Sequence, residues 1–177
     1  MTPDTAQEAA LDAPCCPRFD SAKFKPGELE WRDEIFAKVH VKCFFHVPII
    51  MAQQIMRASA DIAAAGAEAA TPLMLIDEIS PWASDVYIRV SKPVSGLNMT
   101  TLPGTYMTRL FEGGYRQSQR WTNAMRQYVA ERNRHMVKLY FAYGTCPRCA
   151  KIYRENYVVL YAQVEPRNES PTTQSSS

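Results

Sequence analysis

The stretch "GTYMTRLFEGGYRQSQRWTNAMRQYVAERN", Gly104 to Asn133, changes period once, and that change decides the fold reading. Up to Gly113 it reads as a β-strand. From Gly114 it reads as a helix, with Trp121 and Met125 four apart on the face that would be buried. Two strands follow, "MVKLYFAY" (136–143) and "NYVVLYAQV" (156–164). The same order stands earlier in the chain. "AKVHVKCFFHV" (37–47) alternates, with Val39, Val41, Cys43 and Phe45 on one face and His40, Lys42, Phe44 and His46 on the other. "IIMAQQIMRASADIAAAG" has helical period and stops at Gly66, and "PLMLIDEI" and "SDVYIRVSKPV" read as strands joined by a turn at Ser80-Pro81. Corresponding elements lie about 65 to 70 residues apart, longer than solenoid periods. The fold expected is therefore α+β: tandem duplicated strand-helix-strand-strand modules (37–93 and 103–164), with antiparallel sheets, one long helix per module and a ligand cleft between them.

A chain of 177 residues, 46% of them apolar, matches one globular domain, expected over residues 15–165, with disordered segments at 1–14 and 166–177. The net charge of +2, without a run of Lys and Arg, argues against nucleic acid as a partner. No secretory signal or apolar run of spanning length is present, which excludes a membrane helix and leads to the expectation of a cytoplasmic monomer or weak homodimer. In that reducing compartment, the five cysteines read as thiols or metal ligands rather than as disulfides.

Strand parity points to the site. In the last strand of each module, Val86, Ile88 and Val90, and Val158, Leu160, Ala162 and Val164, would face the helix. The opposite faces carry Asp85, Tyr87 and Arg89 in one module and Glu155, Tyr157, Val159 and Tyr161 in the other, so each places an acid two positions before a tyrosine. A sheet covered by helices on one side leaves the other for solvent or a ligand. Asp85 and Glu155 are thus the candidate catalytic acids. Tyr87, Tyr157, Tyr161, Phe44, His40 and His46 are candidate ligand-binding residues. The two histidines lie six residues apart on one strand, about 20 Å, too far to share a metal ion.

The order of strand, Glu112-Gly113-Gly114-Tyr115 and amphipathic helix resembles the second half of the gyrase-inhibitor-like small-molecule-binding domains, and the likeness extends over residues 37–164. That resemblance implies a drug-sensing domain, a stand-alone binding protein or a hydrolase. It also implies a pocket glutamate on the last strand that binds cationic ligands or acts as acid or base. Here the strand departs from the family's glutamate-containing stretch ending in proline. Glu155 is the nearest acid of the right parity, and the corresponding slot falls on Tyr157 or Val159.

"TCPRCAK" (145–151) places Cys146 and Cys149 as a zinc knuckle or a redox pair would. The redox motif needs a strand ahead and a helix beginning at the second Cys; here it is expected between two strands. A knuckle needs two further ligands, and Cys15-Cys16 is the other close pair, so a structural zinc on Cys15, Cys16, Cys146 and Cys149 would staple the N-terminal arm to the final hairpin. A reversible disulfide and inert thiols remain the alternatives. No organic cofactor is expected. The leading function is a binding protein or hydrolase for a small apolar or aromatic molecule, beside a non-catalytic sensing module and a thiol switch.

Overall fold

The computed structural model describes residues 14–44, 47–48 and 50–166. Among these residues nine strands, β1 (Gly27–Trp31), β2 (Ile35–Phe44), β3 (Val47–Pro48), β4 (Met74–Ser80), β5 (Ala83–Val90), β6 (Asn98–Thr101), β7 (Gly104–Glu112), β8 (Met136–Tyr143) and β9 (Tyr157–Val164), form one antiparallel sheet. Three α-helices accompany it among the described residues: α1 (Met51–Ala64), α2 (Ser118–Ala130) and α3 (Pro147–Tyr153). The strand order is β1-β7-β9-β8-β4-β5-β2-β3, with β6 also paired to β2. Outward from the β8/β4 seam, each half sets its strands in the same order, second, third, first. The seam itself holds by a single ladder pair, Ile76 with Phe141. No helix among the described residues is long and apolar enough to cross a membrane.

The expected strand-helix-strand-strand order is present in both halves, and both lie in one sheet rather than in separate ones. Gly66, with φ +57°, ends α1 where a side chain would be strained. On the helix-covered face, Trp121, Met125 and Val129 of α2 pack on Met107, Phe141, Val158, Leu160, Ala162 and Val164, matching the parity read from the last strand. Ile62 of α1 packs on Ala37, Val90 and Val94. Burying side chains of this size stabilises the fold by about 1.5–3 kcal/mol each.

The other face is enclosed. Strands β1 and β5 are five positions apart in the sheet, which would separate them by roughly 24 Å if the sheet were flat. Yet the Arg89 guanidinium of β5 lies 5.2 Å from the Trp31 ring of β1. The sheet therefore curls until its edges meet over an inner face. Trp31, Phe36, Leu75, Tyr87, Tyr106, Tyr140, Ala142 and Val159 fill that face. The cleft expected between two modules is thus the inner surface of one curled sheet, packed with its own aromatic side chains. Two surface depressions lie at the β1 end, lined by Glu30, Arg32, Asp33 and Glu34 and by Glu28, Leu29, Glu30 and Thr105, and neither includes an inner aromatic residue.

Candidate functional site

Three strands bring acids and bases into register on the inner face. His40 of β2 stands opposite Asp85 of β5, which stands opposite Asp77 of β4. Two residues along, on the same face, Lys38, Tyr87 and Leu75 form the next row. Asp77 and Asp85 are both buried and directly opposed, an arrangement that destabilises unless cations intervene. They do: Lys138 Nζ of β8 lies 2.7 Å from Asp77 Oδ2, and Lys38 Nζ lies 2.7 Å from Asp85 Oδ2. The second Asp85 oxygen is 2.7 Å from His40 Nδ1.

Burial pushes the Asp85 carboxyl up, but the hydrogen bonds from Lys38 and His40 outweigh it and hold Asp85 below the usual carboxylate range. The Asp85 bond correspondingly raises Lys38. For Lys138, burial acts downward, and the bond to Asp77 reverses it. An ionised Asp85 accepts Nδ1–H from His40, so that in the neutral imidazole Nε2 carries the lone pair. The Asp85 side chain is 5% exposed and that of His40 59% exposed, so a buried anion orients a ring open to solvent. Among the described residues, Nε2 has no hydrogen-bond partner. Aromatic walls adjoin the row: Lys38 lies 5.7 Å from the Tyr87 ring centre, Lys138 lies 5.3 Å from that of Tyr140, and the two tyrosines meet edge to face. Burial raises the hydroxyls of Tyr87, Tyr106 and Tyr140 and keeps them protonated. This arrangement sets an exposed imidazole, oriented for proton transfer, beside an aromatic wall.

The other sequence candidates are distributed differently. Tyr161 stacks on Trp31 at 5.5 Å within the inner face. Tyr157 begins β9 and packs against Phe19 at 5.5 Å. Glu155 precedes β9 and accepts two hydrogen bonds from Arg18, one from Nε at 3.0 Å, which hold its carboxyl below the usual range. Glu155 is thus paired with the N-terminal arm, and Asp85 with Lys38 and His40. Phe44 ends β2, but its side chain and all of His46 lie outside the described residues. Lys38, Lys138 and Asp77 were missed because single-strand parity does not show which residues of neighbouring strands stand opposite one another. The position of Asp77 opposite Asp85 required the register.

The four cysteines converge. The Cys15 Sγ lies 3.9 Å from that of Cys16, 3.6 Å from that of Cys146 and 3.5 Å from that of Cys149. All four sulfurs lie within 4.8 Å of one another. The Cys16 N–H points at Cys149 Sγ and the Cys146 N–H at Cys16 Sγ, each at 3.4 Å. The expected context between two strands needs correction: α3 begins at Pro147, with Cys146 as its N-cap, because Pro fits the first helical position. Burial acts upward on Cys146, but the Cys149 backbone N–H and the neighbouring thiols outweigh it and lower that thiol to about 7. Burial raises Cys16 to about 12. Cys43 is buried in the core beside Ser84 Oγ, at 3.4 Å.

Comparison with known proteins finds a likeness of fold and a family. The structure is similar to that of a hydrolase from Listeria innocua, with a TM-score of 0.58 and 14% identity over 90% of this chain and 98% of that one. It is also similar to SAV2435 bound to tetraphenylphosphonium, with a TM-score of 0.47 and 13% identity over 80% of this chain and 94% of that one. No curated protein matches the sequence. The sequence profile described as "Bacterial hydrolase" matches residues 6–164, and the chain belongs to that family.

Proposed function

We propose that the protein hydrolyses a small apolar or aromatic molecule at the inner face, with the His40–Asp85 pair as its acid-base centre. The observation that carries the reading is the 2.7 Å bond from an exposed imidazole to a buried, ionised carboxylate. Asp85 orients His40 and stabilises the imidazolium that forms. His40 Nε2 takes a proton from the attacking water and returns it to the leaving group. Lys38 keeps Asp85 ionised, and Tyr87, Tyr140 and Tyr161 contact the apolar body of the substrate. Glu155 and Tyr157, at the entrance of β9, remain candidates, as do Phe44 and His46.

Membership of the gyrase-inhibitor-like group, and descent of the halves from one duplicated module, belong to the same proposal and are supported by the repeated element order. We also assign the thiols a structural zinc. Zinc–sulfur bonds of about 2.3 Å in a tetrahedron separate the sulfurs by about 3.8 Å, and the three separations from Cys15 are 3.5, 3.6 and 3.9 Å. The two N–H groups aimed at sulfur stabilise thiolates.

The test is hydrolysis of activated aryl esters, from acetate to benzoate, by the wild type, His40→Gln and Asp85→Asn. Loss of about 10²–10⁴ in kcat in both variants is expected. Full turnover in both would overturn the acid-base assignment. Loss confined to Glu155→Gln would transfer it to that residue. Saturable ligand binding without turnover in the wild type would leave a binding module.

A further inference from the structure

Residues 14–26 cross from the cysteine cluster to β1 and close one end of the inner face. Among the described residues, this arm makes no backbone hydrogen bond to the sheet; Lys23 N to Asp20 O and Phe24 N to Ser21 O lie within it. Its ties run through side chains and the thiol cluster. Tyr153 Oη donates to Cys16 O at 2.6 Å, and Arg18 donates to Glu155. Phe19 packs on Tyr157 and sits so close over Gly144 that a Cβ there would come within 2.9 Å of its ring. Phe19 and Phe24 pack against the inner aromatic cluster. By contrast, β1 is held to β7 by five ladder pairs, from Gly27 to Trp31.

The inner face is closed: Phe36 and Tyr106 are fully buried, Tyr140 is 2% exposed and Val159 is 5% exposed. An apolar ligand can reach it only if a segment moves. A segment held by side chains opens at lower cost than one held in a ladder. The strongest of the arm's ties would be a metal on four thiolates, because two of the four ligands belong to the arm and two to the α3 turn.

We infer that a divalent metal on Cys15, Cys16, Cys146 and Cys149 latches the arm over the Tyr157 end of the inner face, so that metal release admits an apolar ligand. The inference rests on the zinc assignment and on ligand binding at the inner face. Binding takes all four cysteines as thiolates and releases the protons they still carry, and metal release takes those protons up again, so no oxidant or reductant is involved.

The experiment uses the full chain under reducing conditions, zinc-loaded and after chelation, with metal content, hydrogen exchange and binding of an anilinonaphthalene sulfonate dye as readouts. Chelation is expected to speed exchange in residues 14–26 by about tenfold or more, to leave the β7–β9 ladder unchanged and to tighten dye binding. Phe19→Ala should tighten dye binding with zinc still bound, and Gly144→Ala should do the same by displacing Phe19. If one zinc binds per chain but chelation changes neither arm exchange nor dye binding, the latch is overturned and the metal assignment stands. If chelation speeds exchange in the ladder as well, the metal stabilises the whole domain and the latch is likewise overturned. If no zinc binds, both the latch and the metal assignment fall. Ester turnover after chelation, and its loss in His40→Gln, reports on the hydrolase reading separately.

Discussion

Asp85 and Glu155 occupy equivalent places in the sequence pattern, each two residues before a tyrosine near the last strand of its half, yet the fold treats them differently. Asp85 lies inside β5, is 3% exposed, and is bound by a lysine and a histidine from β2. Glu155 lies just before β9, its side chain 26% exposed, and is bound by an arginine from the N-terminal arm. Parity gives the face on which a side chain stands, whereas depth is set by what crosses over it. In the first half, neighbouring strands close around the acid. In the second, α3 and the arm meet at the strand entrance, and the acid becomes part of their attachment.

The largest effect expected from this contrast is on turnover. Asp85→Asn should lose at least about a hundredfold in kcat with KM within a few-fold, because the amide keeps the shape but neither fixes the imidazole proton nor stabilises imidazolium. Steady-state kinetics on an activated aryl ester would check it, and equal activity would place Asp85 with Glu155 as a structural acid.

Next comes stability. Asp85→Asn should cost about 1–3 kcal/mol in urea unfolding at neutral pH, less than for a fully buried pair because Lys38 and His40 reach solvent. The pH dependence has a definite sign. The Asp85 carboxyl lies below its ordinary 3.8 in the folded state, so its contribution is complete above that pH and is lost as pH falls below it. The gap between wild type and variant should narrow in that acid range, and a gap independent of pH would break the assignment.

Lys38→Met should act more weakly, by about 1 kcal/mol or less, since Lys38 is partly solvated and His40 still holds Asp85. It should also raise the Asp85 pKa, visible as an upward shift of the carboxyl's own titration followed by NMR. The smallest effect belongs to Glu155→Gln. Its turnover should match that of the wild type, and the change should appear as faster hydrogen exchange in the arm around Arg18.

Much of the framework was legible from residues alone. The alternation of Val158, Leu160, Ala162 and Val164 against Val159 and Tyr161 identified the helix-covered face, and Trp121 and Met125 identified the helix that covers it. Short elements escaped. β1 is five residues long with Glu28 and Glu30 outward, and α3 is seven residues long around the cysteine motif; neither shows a period long enough to register. The pairing of the two cysteine doublets was readable because zinc requires four ligands and the chain offers two close pairs. The burial of the site was not, because it depends on the curl of the sheet.

From its residues alone this protein determines two strand-helix-strand-strand runs, the face of each strand that packs under a helix, and a set of cysteines able to join its two ends. These follow from local periodicity and from the valence of a metal, which act over a few residues or through ligand count. Tertiary structure alone decided that the two halves share one sheet, that Asp77 stands opposite Asp85 with each paired to a lysine from a further strand, and that the N-terminal arm lies over the aromatic face. Those outcomes depend on cross-strand register and sheet curvature. Both are set by contacts between residues distant in sequence, to which a period of two or 3.6 is blind.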